Sequence, residues 1–303
     1  MGYVTLVVVK KRSKGNTLSL IAYVNDRFLP LENATIHIED RGFQFADGVY
    51  EVVACIDGNF LDLNLHLDRL QRSCSAIDVE LPCSRQELEN LIRETWKRNP
   101  YVDAMIYIQL TRGQAPRSHL APETLKPTLV ITSRELPKPT DAKLIHGASG
   151  ITLRDIRWKR CDIKSIALLA SVMGKQEAAR RGADEAFWLD EDDHVLEGCS
   201  TNIFAVIDGT LITHPLDHQV LGGITRRMLI HVAQSTDIEV AKRPWTLSEP
   251  GLSECMLTST TNAVLPVCRI DGSPIANGEP GPIATQLRTL MLQSMDELRQ
   301  STD

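Results

Sequence analysis

The sequence predicts an α+β chain of two domains, and three observations carry that prediction. Its 303 residues are about twice the roughly 150 residues usual for one domain. Strand-like and helix-like segments mix without the regular βαβ alternation of a doubly wound nucleotide-binding sheet. Neither a G-x-G-x-x-G after a strand nor a G-x-x-x-x-G-K-[ST] loop is present. A proline-rich polar stretch, Leu136–Ala142, reads as a stiff, solvated interdomain connection. The expected organisation is an extension over 1–20, a first domain over 21–137, a linker over 138–143 and a second domain over 144–303.

The elements follow from local pattern. Residues 1–20 hold a basic stretch, Lys10–Asn16, between two apolar runs, and read as a loosely anchored extension or an added edge strand. Ile21–Val24 and Thr35–Ile38 are short, β-branched and bounded by polar residues, so both read as strands. Val49–Ile56 runs into Asp57-Gly58, a hairpin turn, and Asn59–Leu63 returns. Leu63, Leu67, Leu70, Cys74 and Ile77 form one helical stripe, with Arg69 and Arg72 off it. Pro82 closes that segment. Ser84 then caps a second helix that turns Leu88, Leu91, Ile92 and Trp96 inward. Ala104, Ile106, Ile108 and Leu110 alternate as a strand, and Pro127–Ser133 is another.

Beyond the connection, Ile151–Arg157, Phe187–Leu189, Asn202–Ile207, Thr210–Thr213 and Cys255–Thr258 read as strands. Asp208-Gly209 and Asp271-Gly272 are turn signals. Leu168–Arg181, Thr225–Gln234 and Pro282–Arg299 read as helices, the first closed by Gly182.

Composition narrows the function classes. With 43% hydrophobic and 24% charged residues, the chain has an ordinary globular balance. A net charge of −6 argues against a protein dominated by phosphate contacts to nucleic acid, though a local basic pocket for a small anion stays open. Apolar runs such as Tyr3–Val9 and Ile166–Val172 are far short of the roughly 20 residues of a membrane span. No secretory signal is read, because the basic segment follows the apolar one. Seven scattered cysteines without a C-x-x-C pair fit free thiols in a reducing cytoplasm. No metal site is expected, since Pro215 interrupts the i, i+4 spacing of His214 and His218.

Several residues can carry chemistry, each with an ordinary alternative. Lys164 stands among Ile163 and Ile166–Leu169; a lysine desolvated there has a neutral amine able to attack a carbonyl, while most lysines are solvated cations. LGGITR, residues 221–226, places glycines and Thr225 at a helix start that can bind phosphate, or is simply a capped helix after a turn. TSTT, residues 258–261, supplies hydroxyls at a strand end or forms a solvated turn. Glu197 can hold a protonated ring nitrogen or lie exposed after a hairpin. Arg69 can grip phosphate or face solvent. Arg117 and His119, two apart in TRGQAPRSH (111–119), can converge on a carboxylate or belong to a basic surface loop.

Together these pieces resemble a known family. EDRGFQFADGVYEVV (39–53), HLDRL (66–70), TRGQAPRSH, DIRWKRCDIKS (155–165), EGCSTNIF (197–204), LGGITR and TSTT occur in the order and spacing of the fold-type IV pyridoxal-phosphate enzymes. RGQAPRSH is most similar to the D-amino-acid (D-alanine) aminotransferase branch. The resemblance implies a small N-terminal α/β sandwich domain and a larger C-terminal β-barrel-like domain with helices, with pyridoxal 5'-phosphate between them.

It implies that Lys164 carries the Schiff base and shuttles the substrate proton, and that Glu197 pairs with the pyridine nitrogen. Arg69, Ile224, Thr225 and Thr260 bind the phosphate, with Ser259 a further contact, and Leu221 packs on the ring. Tyr50, Arg117 and His119 form a trap for the substrate carboxylate, the last two reaching across a homodimer with shared active sites. Substrates would be D-alanine or other D-amino acids and a 2-keto acid such as 2-oxoglutarate. The alternatives within the scaffold are branched-chain L-aminotransferases, (R)-selective amine transaminases and aminodeoxychorismate lyases; outside it stands a cofactor-free scaffold protein. Three departures stand out: Ala46 where FGDG is expected, Cys199 where serine is usual, and residues 1–20 without counterpart.

Overall fold

The computed structural model describes residues 19–300. The expected amino-terminal extension therefore lies, through residue 18, outside the described residues.

Two sheets organise the chain. The first is built from β1 (Ile21–Val24), β2 (Arg27–Pro30), β3 (Gly48–Ile56), β4 (Asn59–Phe60), β5 (Ala104–Thr111) and β6 (Thr128–Glu135), in the order β2-β1-β6-β5-β3-β4. Every neighbouring pair is antiparallel. The expected alternation sets its core: Ala104, Ile106, Ile108 and Leu110 are all fully buried. They face two helices, α2 (Leu63–Ser75) and α3 (Arg85–Lys97), whose Leu67, Leu70, Leu88 and Ile92 complete the cluster. Ser84 caps α3 in a reciprocal box with Glu87, satisfying two backbone donors at the helix start. The helix before it ends at Ser75, well before Pro82. The opposite face of the sheet carries Tyr50 and Tyr107, whose rings lie 5.6 Å apart.

One expected strand is absent. Thr35–Ile38 has no regular structure, and Ile36 and Ile38 are 42% and 74% exposed. Its β-branched residues find no partner edge, and propensity without pairing does not make a strand. The segment leads instead into a short helix, α1 (Arg41–Phe45), capped by the Asp40 carboxylate accepting from Gly42 N. Ala46 ends α1 in the left-handed region at φ 56°. That conformation favours glycine, which is the residue the motif would place there. Ala46→Gly is expected to stabilise the protein by about 0.5–1 kcal/mol, read as a higher urea midpoint at unchanged slope.

After a connection without regular structure, α4 (Asp141–His146) starts on its cap Thr140, so the last residues of the expected linker are helical. The second sheet then comprises β7 (Ala148–Arg154), β8 (Glu185–Leu189), β9 (Val195–Gly198), β10 (Asn202–Ile207), β11 (Thr210–Thr213), β12 (Val240–Lys242), β13 (Leu252–Ser259), β14 (Ala263–Ile270) and β15 (Ser273–Pro274). Its order is β12-β11-β10-β13-β14-β7-β8-β9, with β15 paired to β14, and it mixes parallel and antiparallel neighbours.

β10 is buried on both faces, which explains its unbroken apolar run. Ile203, Ala205 and Ile207 enter one cluster with Leu257, Leu265 and Trp245. Phe204 and Val206 enter another, against α6 (Ile224–Gln234) and α7 (Pro282–Gln300). α5 (Leu169–Arg180) covers β7 and β8 through Ala178. The architecture is α+β, as expected, with the second sheet curved into a half-barrel flanked by helices. All seven cysteines are free. Among the described residues no helix is long and apolar enough to cross a membrane.

Candidate active site

Lys164 sits where the two sheets meet. Ile163 is buried in the core of the first sheet and fixes the segment there. The Lys164 carbonyl accepts from Tyr50 N at 3.0 Å, Ile166 N donates to Gly48 O at 3.0 Å, and Lys164 N donates to Ser73 Oγ at 3.3 Å. The chain thus runs as a short ladder along β3, held through its main chain. At Gly48 the strand is crowded from both sides: an added Cβ would fall 2.5 Å from Leu110 O of β5 and 3.1 Å from Ile166 Cδ1 of this segment. The Lys164 Nζ lies 4.3 Å from the centre of the Tyr50 ring. Among the described residues it has no carboxylate or hydrogen-bond acceptor, so the amine is available.

Glu197 lines the same cavity from the end of β9 and is 6% exposed. Its Oε1 accepts from Arg157 Nη1 at 2.5 Å. Its Oε2 accepts from Leu221 N at 2.9 Å and Asn202 Nδ2 at 3.1 Å. A carboxylate offers about four lone-pair positions, so one remains for a further donor. Burial pushes its pKa above the ordinary carboxylate range, against the opposing pull of Arg157. Arg157 is itself braced by two bonds to Asp155, at 2.9 and 2.8 Å, and stacks over the Trp188 ring at 5.6 Å.

Arg69 is buried rather than solvent-facing. It makes a bidentate pair with Glu51, at 2.7 and 2.8 Å, and donates to Gly222 O at 2.9 Å. His66 Nδ1 donates to the same Glu51 carboxylate at 2.7 Å. These partners hold Glu51 down to about 2 despite the burial that opposes it. Beside Arg69, Gly223 caps α6 without a side-chain bond, leaving the first N–H groups of the helix free. Nothing larger fits, because a Cβ at Gly223 would meet Asn202 Oδ1 at 2.0 Å. Ser259 and Thr260 are half-buried; Thr260 Oγ1 donates to Val52 O at 3.4 Å, and Thr258 Oγ1 is buried without a partner.

One cavity gathers Tyr50, Arg69, Lys164, Glu197, Leu221, Ile224, Thr225, Ser259 and Thr260. Arg117 and His119 do not line it. They are exposed on the 112–127 loop, where both converge on the Phe45 ring, Arg117 at 5.1 Å and His119 at 5.4 Å. That loop has an anchor that its sequence hides: buried Arg41 donates to the carbonyls of Ser118 and His119, at 2.6 and 3.0 Å, and Ala115 is buried.

Sequence reasoning did not single out Glu51, His66, Arg157 or Asn202. Glu51 carried a signal, a carboxylate inside the apolar run of β3 on the face of Val49 and Val53. Cys199, the departure from serine, is buried, and its thiol is pushed up to about 12 by burial.

The donor set fits an aldehyde-bearing ring with an anionic tail. An unpartnered amine, a buried carboxylate with a spare lone pair, and a free helix start with Arg69 and an orphaned Thr258 hydroxyl all line the one cavity. The amino-transferase class IV family matches residues 48–270, and the chain belongs to that family of fold-type IV, pyridoxal-phosphate-dependent aminotransferases.

Among its relatives is a D-alanine aminotransferase of Listeria monocytogenes, 38% identical over 276 residues, 90% of this chain and 95% of the other. A D-alanine aminotransferase of Staphylococcus haemolyticus is 36% identical over 268 residues, 88% and 94% of the two chains. The branched-chain aminotransferase of the thermophilic archaeon Thermoproteus uzoniensis, solved with norvaline, superposes with a TM-score of 0.80 at 26% identity, covering 92% of this chain and 97% of that one.

Proposed function

We propose that the chain is a D-amino-acid transaminase that moves the amino group of D-alanine and other D-amino acids to 2-oxoglutarate. The carrying observation is the Arg117/His119 pair, gathered on one ring and kept out of its own chain's Lys164 cavity. An arginine and a histidine fixed on an exposed loop, both able to donate hydrogen bonds, suit the carboxylate of a substrate held by a second copy. The reading is accordingly a cytoplasmic homodimer with shared active sites. The D-alanine aminotransferase relatives support the substrate class.

Pyridoxal phosphate, when bound, supplies an aldehyde that condenses with amines and a ring that accepts electrons. Lys164 Nζ would hold the aldehyde between turnovers. Once released, it would take the proton from the substrate Cα and return it during amino transfer. Glu197 would keep the ring nitrogen protonated; its fixed bonds from Arg157, Leu221 N and Asn202 orient the carboxylate for that. Arg69, Ile224, Thr225 and Thr260, with Ser259, would bind the phosphate at the start of α6. Leu221 would pack on the ring. Tyr50 would join Arg117 and His119 of a second copy in holding the substrate carboxylate.

The test is a half-reaction in which the cofactor absorbance is followed with D- and L-alanine. The expected result is a rate with the D-enantiomer at least about a hundredfold higher. Arg117→Ala is expected to raise KM for D-alanine at least about tenfold, in keeping with loss of a charge-assisted contact. Faster reaction with L-alanine would overturn the stereochemistry. The branched-chain structural neighbour favours a second reading, and preference for L-leucine in the same assay would select it.

A further inference from the structure

A second cleft lies at the start of α6, and Lys164 is not part of its lining. It is lined by Arg72 of α2, Arg226 and Arg227 of α6, and Lys242 of β12, and shares Arg69, Gly223 and Ile224 with the Lys164 cavity. We propose that this cleft is a second anion site, taking the phosphate group of a small phosphate or phosphate monoester.

The charge of the cleft is mostly unanswered. Among the described residues, Arg72, Arg226, Arg227 and Lys242 make no ion pair. Of the acidic residues beside them, Asp68 pairs with Arg85 at 2.5 Å and Asp162 with Arg160 at 3.0 Å; Asp217 accepts from Gln219 N at 2.8 Å and is a lining carboxylate without a cation of its own, set against the four cations. The cleft thus holds a positive excess in a chain whose net charge is −6.

The cleft beside the 137–140 connection is different. There, Lys138, Lys143 and Lys175 each face a carboxylate, at 2.8, 2.7 and 3.2 Å, and none of the three is left over.

Arg226 points to an anion independently. It is 3% exposed, yet its bonds go only to neutral oxygens, His214 O at 2.8 Å and Thr213 Oγ1 at 3.4 Å. A guanidinium taken out of water with no carboxylate bonded to it is costly; burial holds its pKa below the ordinary arginine value, against the weaker pull of Glu197, which lines the Lys164 cavity and not this cleft. An anion in the cleft would offset that cost. Arg72 and Arg227, both exposed, would complete the grip from the rim. Phosphate suits the cleft better than a monocarboxylate, because several cations from three elements surround one space and a dianion answers more of them at once.

The test uses the holoenzyme, so that added phosphate does not compete for the cofactor site. Inorganic phosphate is titrated at constant ionic strength against a chloride control. Binding is followed by ³¹P NMR and by the thermal midpoint. The expected result is saturable binding of one phosphate per chain, with Kd raised at least tenfold in the R72Q/R227Q double variant. Neither residue lines the Lys164 cavity, so the alanine half-reaction rate of that variant should be unchanged. A parallel titration with glucose 6-phosphate separates the sources: tighter binding than inorganic phosphate identifies a monoester as the occupant, weaker binding the free ion. A stabilisation matched by chloride, or an equal Kd in the double variant, would overturn the site.

Discussion

Lys164→Ala is expected to lower transaminase turnover by about 10⁴-fold or more while leaving the fold in place, since both covalent holding and proton transfer would be lost. The geometry makes this a clean substitution. The segment is anchored through its main chain, by Tyr50 N on the Lys164 carbonyl and by Lys164 N on Ser73 Oγ, and neither bond uses the lysine side chain. What is lost is the amine and its contact with the Tyr50 ring, worth about 0.5–1 kcal/mol. The thermal midpoint should therefore shift by only a few degrees. Steady-state turnover with D-alanine and 2-oxoglutarate measures the effect. Borohydride reduction of the wild-type holoenzyme followed by peptide mapping should place the cofactor adduct at residue 164. A variant retaining a tenth of the turnover, or an adduct at another lysine, would remove Lys164 from its role.

Much of the fold was legible because its signals are local. The α3 start is written in Ser84 and Glu87, three apart, and both bonds of the capping box form. β5 is written in alternate apolar residues, all of which are buried. The hairpin turns at Asp57-Gly58 and Asp208-Gly209 carry positive φ at both residues, the conformation such pairs favour. Thr35–Ile38 failed because a strand is defined by its partner, and no periodicity names the partner. The site followed the same division. Motif residues at strand ends and at the start of α6 converge on one cavity. The groups that fix them were hidden, because Glu51 meets Arg69 across 18 residues and Arg157 meets Glu197 across 40. Charge pairs of that separation are set by the packing of a helix on a sheet, or of a loop beneath one, and neither is written in spacing.

Glu51→Gln should be the most damaging of the conservative changes to stability. Glu51 is fully buried and bonded on both oxygens, by Arg69 at 2.7 and 2.8 Å and by His66 at 2.7 Å. Glutamine keeps the shape and removes the charge. Arg69, itself 3% exposed, is then left as a buried cation without a counter-ion. Breaking a buried pair from one side costs about 3–5 kcal/mol.

The pH dependence gives a second readout. Glu51 is held at about 2 against an ordinary value of 4.5. A carboxylate depressed in the folded state contributes stability above its unfolded value and loses it as pH falls through its folded one. That share, about 3 kcal/mol, is complete near neutrality and drains away from about pH 4.5 towards 2. The wild type should therefore lose urea resistance steeply in that window, and Glu51→Gln should start lower and fall less. Because Arg69 faces the start of α6 through Gly222 O, the variant should also release cofactor more readily, seen as a higher Kd on titration of the apoenzyme with pyridoxal phosphate. A variant within about 1 kcal/mol of the wild type at pH 7, with an unchanged acid slope, would show that the pair contributes nothing measurable.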